Sequence, residues 1–91
     1  MSRVQVLLWG DIPSVVKAYG DDGTTVSRQL DPWFQQEIDR EAMRLGLTGS
    51  DTYLEQWQWG EADERPGTPE EVLDLVEQEL DAAFDARRRR V

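Results

Sequence analysis

The sequence predicts an α+β fold in which a small antiparallel sheet carries two amphipathic helices on one face. Three observations predict it. Short β-branched or alternating segments fill the first third of the 91-residue chain. Two later segments have apolar residues at helical spacing. Each of these two helical segments follows a capping residue and a proline. The predicted order is β-β-β-α-β-α, and both helices need the sheet to bury their apolar sides. A chain of this length forms one domain, residues 1–91.

Three strands are predicted in the first thirty residues. Residues 3–9 (RVQVLLW) are apolar on both sides, which is typical of a strand near the centre of a sheet. Pro13 cannot donate to a ladder, so the second strand is expected to begin at or after it, over residues 14–19. Residues 20–23 (GDDG) predict a hairpin turn, and residues 24–30 alternate in polarity as a third strand.

The first helix is predicted to begin at Asp31 and Pro32. Aspartate accepts backbone hydrogen bonds at an N-cap, and proline fits the first helical position. The apolar residues that follow at spacings of three and four predict the buried stripe. These residues are Phe34, Ile38, Ala42 and Leu45. The charged residues between them, Glu37 included, are expected to face water, and Gly46 is expected to end the helix in the left-handed conformation.

Residues 53–59 (YLEQWQW) fit two structures. Alternation places Trp57 and Trp59 on one side and favours a strand, which is the preferred prediction. An N-cap at Ser50 would instead favour a short helix. The polar residues 60–68 are expected to form a linker.

The last helix is predicted over residues 69–88. Thr68, Pro69 and Glu71 have the spacing of a capping box. The stripe expected to be buried comprises Val72, Val76, Leu80, Ala83 and Phe84. The arginines at 87–90 complement the helix dipole at its end, with binding of an acidic or phosphate-rich partner as the alternative.

Composition argues against several classes of function. The net charge of −9 disfavours binding to nucleic acid and to anionic membranes. The chain has no histidine and no cysteine, which excludes disulfides, zinc–thiolate and iron–sulfur ligation, cysteine nucleophiles and serine–histidine pairs. Phosphate-binding and calcium-loop patterns are absent from the sequence. We therefore expect no cofactor. Because the N-terminal segment lacks signal-peptide features, the expected location is the cytoplasm.

Carboxylates and tryptophans remain as candidate functional groups. Candidate carboxylates lie at turns or element ends, where sites often form. They are Asp11, Asp31, Asp51 and Glu55. Local capping and turn hydrogen bonds explain the three aspartates more simply, so neither a catalytic residue nor a metal site is assigned.

Four tryptophans are many for a core this small. Trp9 and Trp57 are expected in the core. Trp33 and Trp59 are better candidates for a patch that faces a partner, since tryptophan is enriched at interaction hot spots.

Two blocks of the sequence carry a resemblance to a known family. WGDIP at residues 9–13 and AMRLGLTGSDTYLEQW at residues 42–57 resemble the small bacterial proteins called virulence-factor domain proteins. The family pattern has W-R-D-I-P, then A-M-x-x-G, then G-[ST]-D-x-Y-L and a tryptophan. The domain also occurs in conserved virulence factor C of staphylococci, beside an Nfu-type region. Gly10 stands here in place of the family arginine. The resemblance implies an accessory role and no established catalytic residues.

The sequence thus predicts a non-enzymatic accessory or protein-interaction module that docks on a protein partner. The first strand and residues 53–59 are expected to be neighbours and to bring most candidate binding residues together. The candidates are Trp9, Asp11, Ile12, Pro13, Trp33, Asp51, Tyr53, Trp57 and Trp59. The alternative is a small-ligand or divalent-metal enzyme, or an enzyme subunit, that uses Asp11, Asp51 and Glu55 as oxygen ligands. Association into a homo-oligomer is compatible with either reading.

Overall fold

The computed structural model describes residues 1–89, which form a five-stranded antiparallel sheet and four helices. The elements are β1 Ser2–Trp9, β2 Ile12–Gly20, β3 Thr25–Gln29, α1 Pro32–Arg44, α2 Asp51–Glu55, β4 Trp57–Trp59, β5 Asp63–Arg65, α3 Pro69–Ala83 and α4 Asp85–Arg88. The predicted α+β class is confirmed. None of the helices in this part of the chain has the length and apolar character needed to cross a membrane.

The strand order is β3-β2-β1, and β4 and β5 follow one another along the outer edge of β1. β4 pairs with the end of β1 through Trp9↔Trp57, and β5 pairs with its beginning through Val4↔Asp63. The prediction of a linker over residues 60–68 is therefore wrong at β5. An edge strand pairs through its backbone and commonly carries charged side chains, so its apolar pattern is weak.

β2 begins two residues earlier than predicted and includes Pro13. Leu7 pairs with Val15 but Leu8 pairs with Pro13, so Ser14 is an extra residue that forms a β-bulge. A bulge interrupts the ladder, and this is where a residue without an N–H group is tolerated inside a strand. The prediction that proline excludes the start of the strand was therefore wrong.

The hairpin between β1 and β2 is as tight as a hairpin can be. Trp9 pairs with Ile12, which leaves only Gly10 and Asp11 in the loop. Gly10 has φ +60°. Every positive φ among the described residues belongs to a glycine, so Asp11 has a negative φ. Glycine at the first loop position followed by a residue of negative φ is the arrangement of a type II′ turn, whose twist suits a hairpin.

The first helix begins and ends where the sequence predicts. The Asp31 carboxylate accepts a hydrogen bond from the backbone N–H of Trp33 at 2.9 Å. At the other end Gly46 has φ +70°, and the N–H of Leu47 donates to the carbonyl of Ala42 at 2.9 Å. Together with the bond from the Gly46 N–H to the Met43 carbonyl, this forms a Schellman motif.

The buried face of α1 differs from the predicted stripe at two positions. Leu45, the C-cap residue, is half exposed, whereas Glu37 is only 9% exposed. Glu37 follows Phe34 by three residues, and this helical spacing places it at the border of the stripe. An arginine from α4 reaches it there, so the charge is buried with a partner.

Residues 53–59 divide between the two structures that the sequence allowed. The Ser50 side chain accepts a hydrogen bond from the Tyr53 N–H at 3.3 Å and caps α2. The strand prediction was thus wrong for residues 53–55 and holds only for β4. A serine cap makes a single helical turn favourable, while pairing with β1 draws the following residues into the sheet.

α3 opens with the predicted capping box. The Thr68 hydroxyl accepts from the Glu71 N–H at 3.2 Å, and the Glu71 carboxylate accepts from the Thr68 N–H at 3.1 Å. The helix ends at Ala83 rather than at residue 88, and Phe84 (φ −102°, ψ 6°) separates it from α4. Neither glycine nor proline marks this break, so it could not be predicted from the residue types.

One hydrophobic core joins the sheet to α1 and α3. Its buried members are Val4, Trp9, Ile12, Val16, Ala18, Leu30, Phe34, Ile38, Ala42, Val72, Leu73 and Val76. Of the stripe predicted on α3, Ala83 is exposed, and Leu73 is buried in addition. The register Val4↔Ala18 places these residues on the face that the helices cover. Gln5↔Lys17 and Arg3↔Tyr19 lie on the opposite face, which we call the open face.

Two arginines tie α3 to the two edges of the sheet. Arg28 of β3 pairs with Asp74 and with Glu77, the latter at 3.1 Å. Arg65 of β5 donates to both carboxylate oxygens of Glu79. These hydrogen bonds hold the pKa of Glu79 below its usual value. The charges on both edges thus fix the position of the helix over the sheet.

Acidification is expected to weaken this anchor. Because the pKa of Glu79 is lowered in the folded state, its stabilising contribution is present above the unfolded pKa, about 4.3, and is lost as the pH falls through the folded value. Urea unfolding from about pH 7 to about pH 3 should therefore show a smaller loss of stability for Glu79→Gln than for the wild type. Glu61→Gln, a change at an exposed loop carboxylate, is the matched control. Superimposable pH profiles for all three proteins would contradict the expectation.

Candidate functional site

The two sequence blocks meet in an aromatic cluster at one end of the sheet. The rings of Trp9 and Tyr53 are 5.5 Å apart, and those of Tyr53 and Trp57 are 6.4 Å apart. The indole N–H of Trp9 donates to the Tyr53 carbonyl at 2.9 Å. The expectation that the first strand and residues 53–59 are neighbours is confirmed. Trp9 is 2% exposed, and Trp57 is partly buried against the same core.

Burial changes the role of three predicted binding residues. The side chains of Trp9, Ile12 and Pro13 are enclosed, with Ile12 at 0% exposure. An enclosed side chain cannot touch a partner without unfolding, so the prediction that these three bind directly is corrected. They shape the end of the sheet, whereas Tyr53 and Trp57, both partly exposed, line its surface.

The turn carboxylates lie in solvent. Asp11 has an 85% exposed side chain, with Arg87 3.9 Å away, and Asp51 is exposed in the first turn of α2. Residues 1–89 contain no group of three or more side chains that could together hold a metal ion. The alternative of a metal-dependent enzyme that uses Asp11, Asp51 and Glu55 therefore stays a prediction without a contact to support it.

Trp33 is partly covered by its own chain. Its ring packs edge-on against Phe34 at 5.0 Å and against Phe84 at 6.3 Å. The guanidinium of Arg88 lies 5.3 Å from the centre of the indole ring. The half-buried indole therefore takes part in the packing between α1 and the C-terminal helices and also lines the groove beside them, so a partner-facing Trp33 stays a prediction.

A groove of about 940 Å³ runs between α1 and α4. Four arginines line it, and each has a carboxylate of the same chain within 4 Å. The pairs are Arg40–Glu37, Arg44–Glu41, Arg87–Glu37 and Arg88–Asp81. The hydrogen bond from Arg44 lowers the pKa of Glu41, and Arg87 adds to this effect. Because these charges are paired internally, the groove offers little attraction for a further anion.

Arg87 is the centre of this ion-pair network. Its Nε donates to the buried Glu37 at 2.9 Å, and Glu41 and Asp11 lie 3.5 and 3.9 Å from its terminal nitrogens. The sequence offered two explanations for the arginine run, a favourable helix end or an external anion. In the structure, Arg87 and Arg88 form ion pairs with carboxylates of the same chain. Arg90 lies outside the described residues.

Trp59 is the exposed tryptophan. Its side chain is 45% exposed at the edge of the open face, where the register pairs it with Leu7. Lys17 lies between two aromatic rings, 5.4 Å from the centre of the Trp59 ring and 5.3 Å from that of Tyr19. Trp33 lies on the helical side of the sheet, so Trp33 and Trp59 do not form the single patch that was predicted.

Lys17 and Tyr19 were missed in the sequence. Their signal was the alternation within β2, where Val16 and Ala18 face the helices. With that side assigned to the core, Lys17 and Tyr19 must occupy the other side. Their contact with Trp59 depends on how β4 pairs with β1, and that pairing could not be predicted from the sequence alone.

Comparison with known proteins identifies the family. A model of the protein family described as "Virulence factor" matches residues 7–90, nearly the whole chain. No curated protein and no solved structure shows significant similarity. The matched range includes both sequence blocks, the aromatic cluster they form and all the strands except the first part of β1. The chain therefore belongs to the virulence factor family.

Proposed function

We propose that this protein is an interaction module without catalytic activity that binds a partner protein through the open face of its sheet. The observation that carries the proposal is the exposed indole of Trp59 beside Lys17, in a chain whose other tryptophans are packed against the core. Tryptophan and tyrosine contribute a disproportionate share of binding energy at protein interfaces.

The open face combines apolar area with a local excess of positive charge. The register places Leu7 and Val15 next to each other and beside Trp59. The charged residues that the strands direct to this side are Arg3, Lys17 and Glu64. A net charge of +1 on this face contrasts with −9 for the whole chain. The face therefore suits a partner with an apolar patch that is bordered by carboxylates.

The cation between two rings gives this face a defined shape before binding. An ammonium group near aromatic faces is attracted to their negative electrostatic potential, which restricts both the lysine and the rings. Side chains that are ordered in the free protein lose less entropy when a partner binds. Trp59 and Lys17 are thus suited to act together at the centre of the contact.

Replacement of Trp59 by alanine should abolish partner capture while the fold stays intact. Tagged protein would be incubated with lysate of the source organism, and bound proteins would be quantified by mass spectrometry. Leu75→Ala is the matched control, since Leu75 is 49% exposed on α3, on the other side of the sheet. A protein retained by the wild type and by Leu75→Ala but lost with Trp59→Ala supports the proposal. Equal capture by all three proteins overturns it.

A second variant tests the charge complementarity. Lys17→Glu reverses the one lysine of the chain at the centre of the open face. A partner with carboxylates around its apolar patch should then be lost, and the loss should be larger at low ionic strength than at high ionic strength. Retention of the partner by Lys17→Glu at every salt concentration would contradict the proposed chemistry of the contact.

A further inference from the structure

β3 is an edge strand whose outer side is free to pair. Within residues 1–89 it pairs only with β2, and it lies at one end of the strand order. Its residues Thr25, Ser27 and Gln29 are exposed. An edge strand with unpaired backbone groups is a template for an additional strand.

The hydrogen bonds identify which backbone groups point outward. The Leu30 N–H donates to the Ser14 carbonyl at 3.0 Å, and the Gly20 N–H donates to the Thr24 carbonyl at 2.7 Å. In the register of these strands, residues 26 and 28 also direct their backbone groups toward β2. The N–H and carbonyl groups of Thr25, Ser27 and Gln29 therefore point away from the sheet.

The other edge of the sheet is protected against pairing, and this contrast is informative. Between β4 and β5, three residues of the edge (60–62) face two of β1, so that edge is bulged. β5 also consists of charged residues and is followed by Pro66. β3 has none of these devices, because its one charged residue, Arg28, is turned toward α3.

A groove of about 310 Å³ lies between this edge and the beginning of α3. It is lined by Asp22, Thr24, Val26, Thr68, Pro69 and Glu70. Asp22 and Glu70 make the groove acidic, whereas Asp74, one turn later on α3, is paired with Arg28. A strand added to β3 would place every second side chain beside the carboxylates of Asp22 and Glu70.

We propose that the outer edge of β3 binds an extended, basic segment of a partner protein, which adds to the sheet as a further strand. This edge borders the open face but lies away from Trp59, across β2 and β1, and its proposed role goes beyond the function proposed above. The free backbone groups provide the pairing, and the carboxylates of Asp22 and Glu70 select lysine or arginine at alternate positions. Two copies of this chain would instead bring two acidic α3 helices together, which disfavours a second copy as the occupant.

The test uses a short fluorescent peptide in which lysine alternates with threonine, with a glutamate–threonine peptide for comparison. Ser27→Pro removes one outward N–H group, and Ser27→Ala keeps it. Proline is tolerated at an edge position whose N–H faces solvent, so both variants should fold. We expect the lysine peptide to bind Ser27→Pro at least about tenfold more weakly than Ser27→Ala, and the glutamate peptide not to bind. Equal affinity of the two variants for the lysine peptide overturns the proposal.

A charge variant and hydrogen exchange keep the test independent of the proline. Glu70→Lys should weaken binding of the lysine peptide, whereas Glu61→Lys, on the loop of the opposite edge, should not. Bound peptide should slow amide exchange at Thr25, Ser27 and Gln29. Unchanged exchange at these amides overturns the proposal, as does protection that rises with protein concentration in the absence of peptide, which would identify a second copy as the occupant. Trp59→Ala should bind the peptide normally, which distinguishes binding at this edge from binding through Trp59.

Discussion

Replacement of Trp9 by alanine is expected to lower the free energy of unfolding by about 3–5 kcal/mol, the largest effect of any change considered for this chain. The indole is 2% exposed and fills the space between β1 and α2. Its N–H is also hydrogen-bonded to the Tyr53 carbonyl, which would lose a buried partner. Urea unfolding followed by circular dichroism measures the effect.

Two controls separate the contributions to that loss. Trp9→Phe keeps an aromatic ring and removes the hydrogen bond, so it should cost less than the alanine substitution. Trp59→Ala removes an indole that is 45% exposed and should change stability by less than about 1 kcal/mol. If Trp9→Ala and Trp59→Ala cost the same, Trp9 is not the packing centre of the family's sequence blocks.

Loss of Arg87 is expected to cost about 1–3 kcal/mol, because it leaves the carboxylate of Glu37 without its inter-helix partner. Glu37 is 9% exposed, and Arg87 joins it from fifty residues away in the chain. Thermal and urea unfolding of Arg87→Met would measure the cost. Arg44→Met, which removes a pair at an exposed guanidinium on the same groove, should cost less than about 1 kcal/mol.

The double variant Glu37→Leu/Arg87→Met gives the sharper result. Removal of both charges leaves no buried carboxylate that has lost its inter-helix partner, so the double variant should be more stable than Arg87→Met alone. The single variant Glu37→Leu completes the comparison. If the double variant loses as much free energy of unfolding as the two single variants together, Glu37 and Arg87 stabilise the protein independently.

The elements that the sequence predicted are those determined by local chemistry. Asp31, Thr68 and Gly46 fix helix ends through hydrogen bonds to their own neighbours, so their roles can be read from a few residues. β5 and the inclusion of Pro13 in β2 depend on pairing with β1, which lies far away in the chain. Long-range pairing leaves little trace in local composition, and for that reason those two predictions failed.

The same division applies to the candidate site. The contact between Trp9 and Trp57 could be expected from the adjacency of two strands, and it is present. The separation of Trp33 from Trp59 depends on which face of the sheet each element packs against. The burial of Glu37 depends on a guanidinium fifty residues away. Neither relation is determined by residue type or spacing.

The position of β1 between β2 and the β4–β5 edge has a consequence for how the sheet assembles. β1, β2 and β3 are joined by two hairpins and need only short loops to close, while β4 and β5 must return from about fifty to sixty residues away. Closure of a long loop costs more entropy and comes before the contacts that repay it. The folding nucleus is therefore expected in the β1–β2–β3 meander with α1. The β4–β5 edge and α3 should add afterwards, so that mutations there accelerate unfolding more than they slow folding.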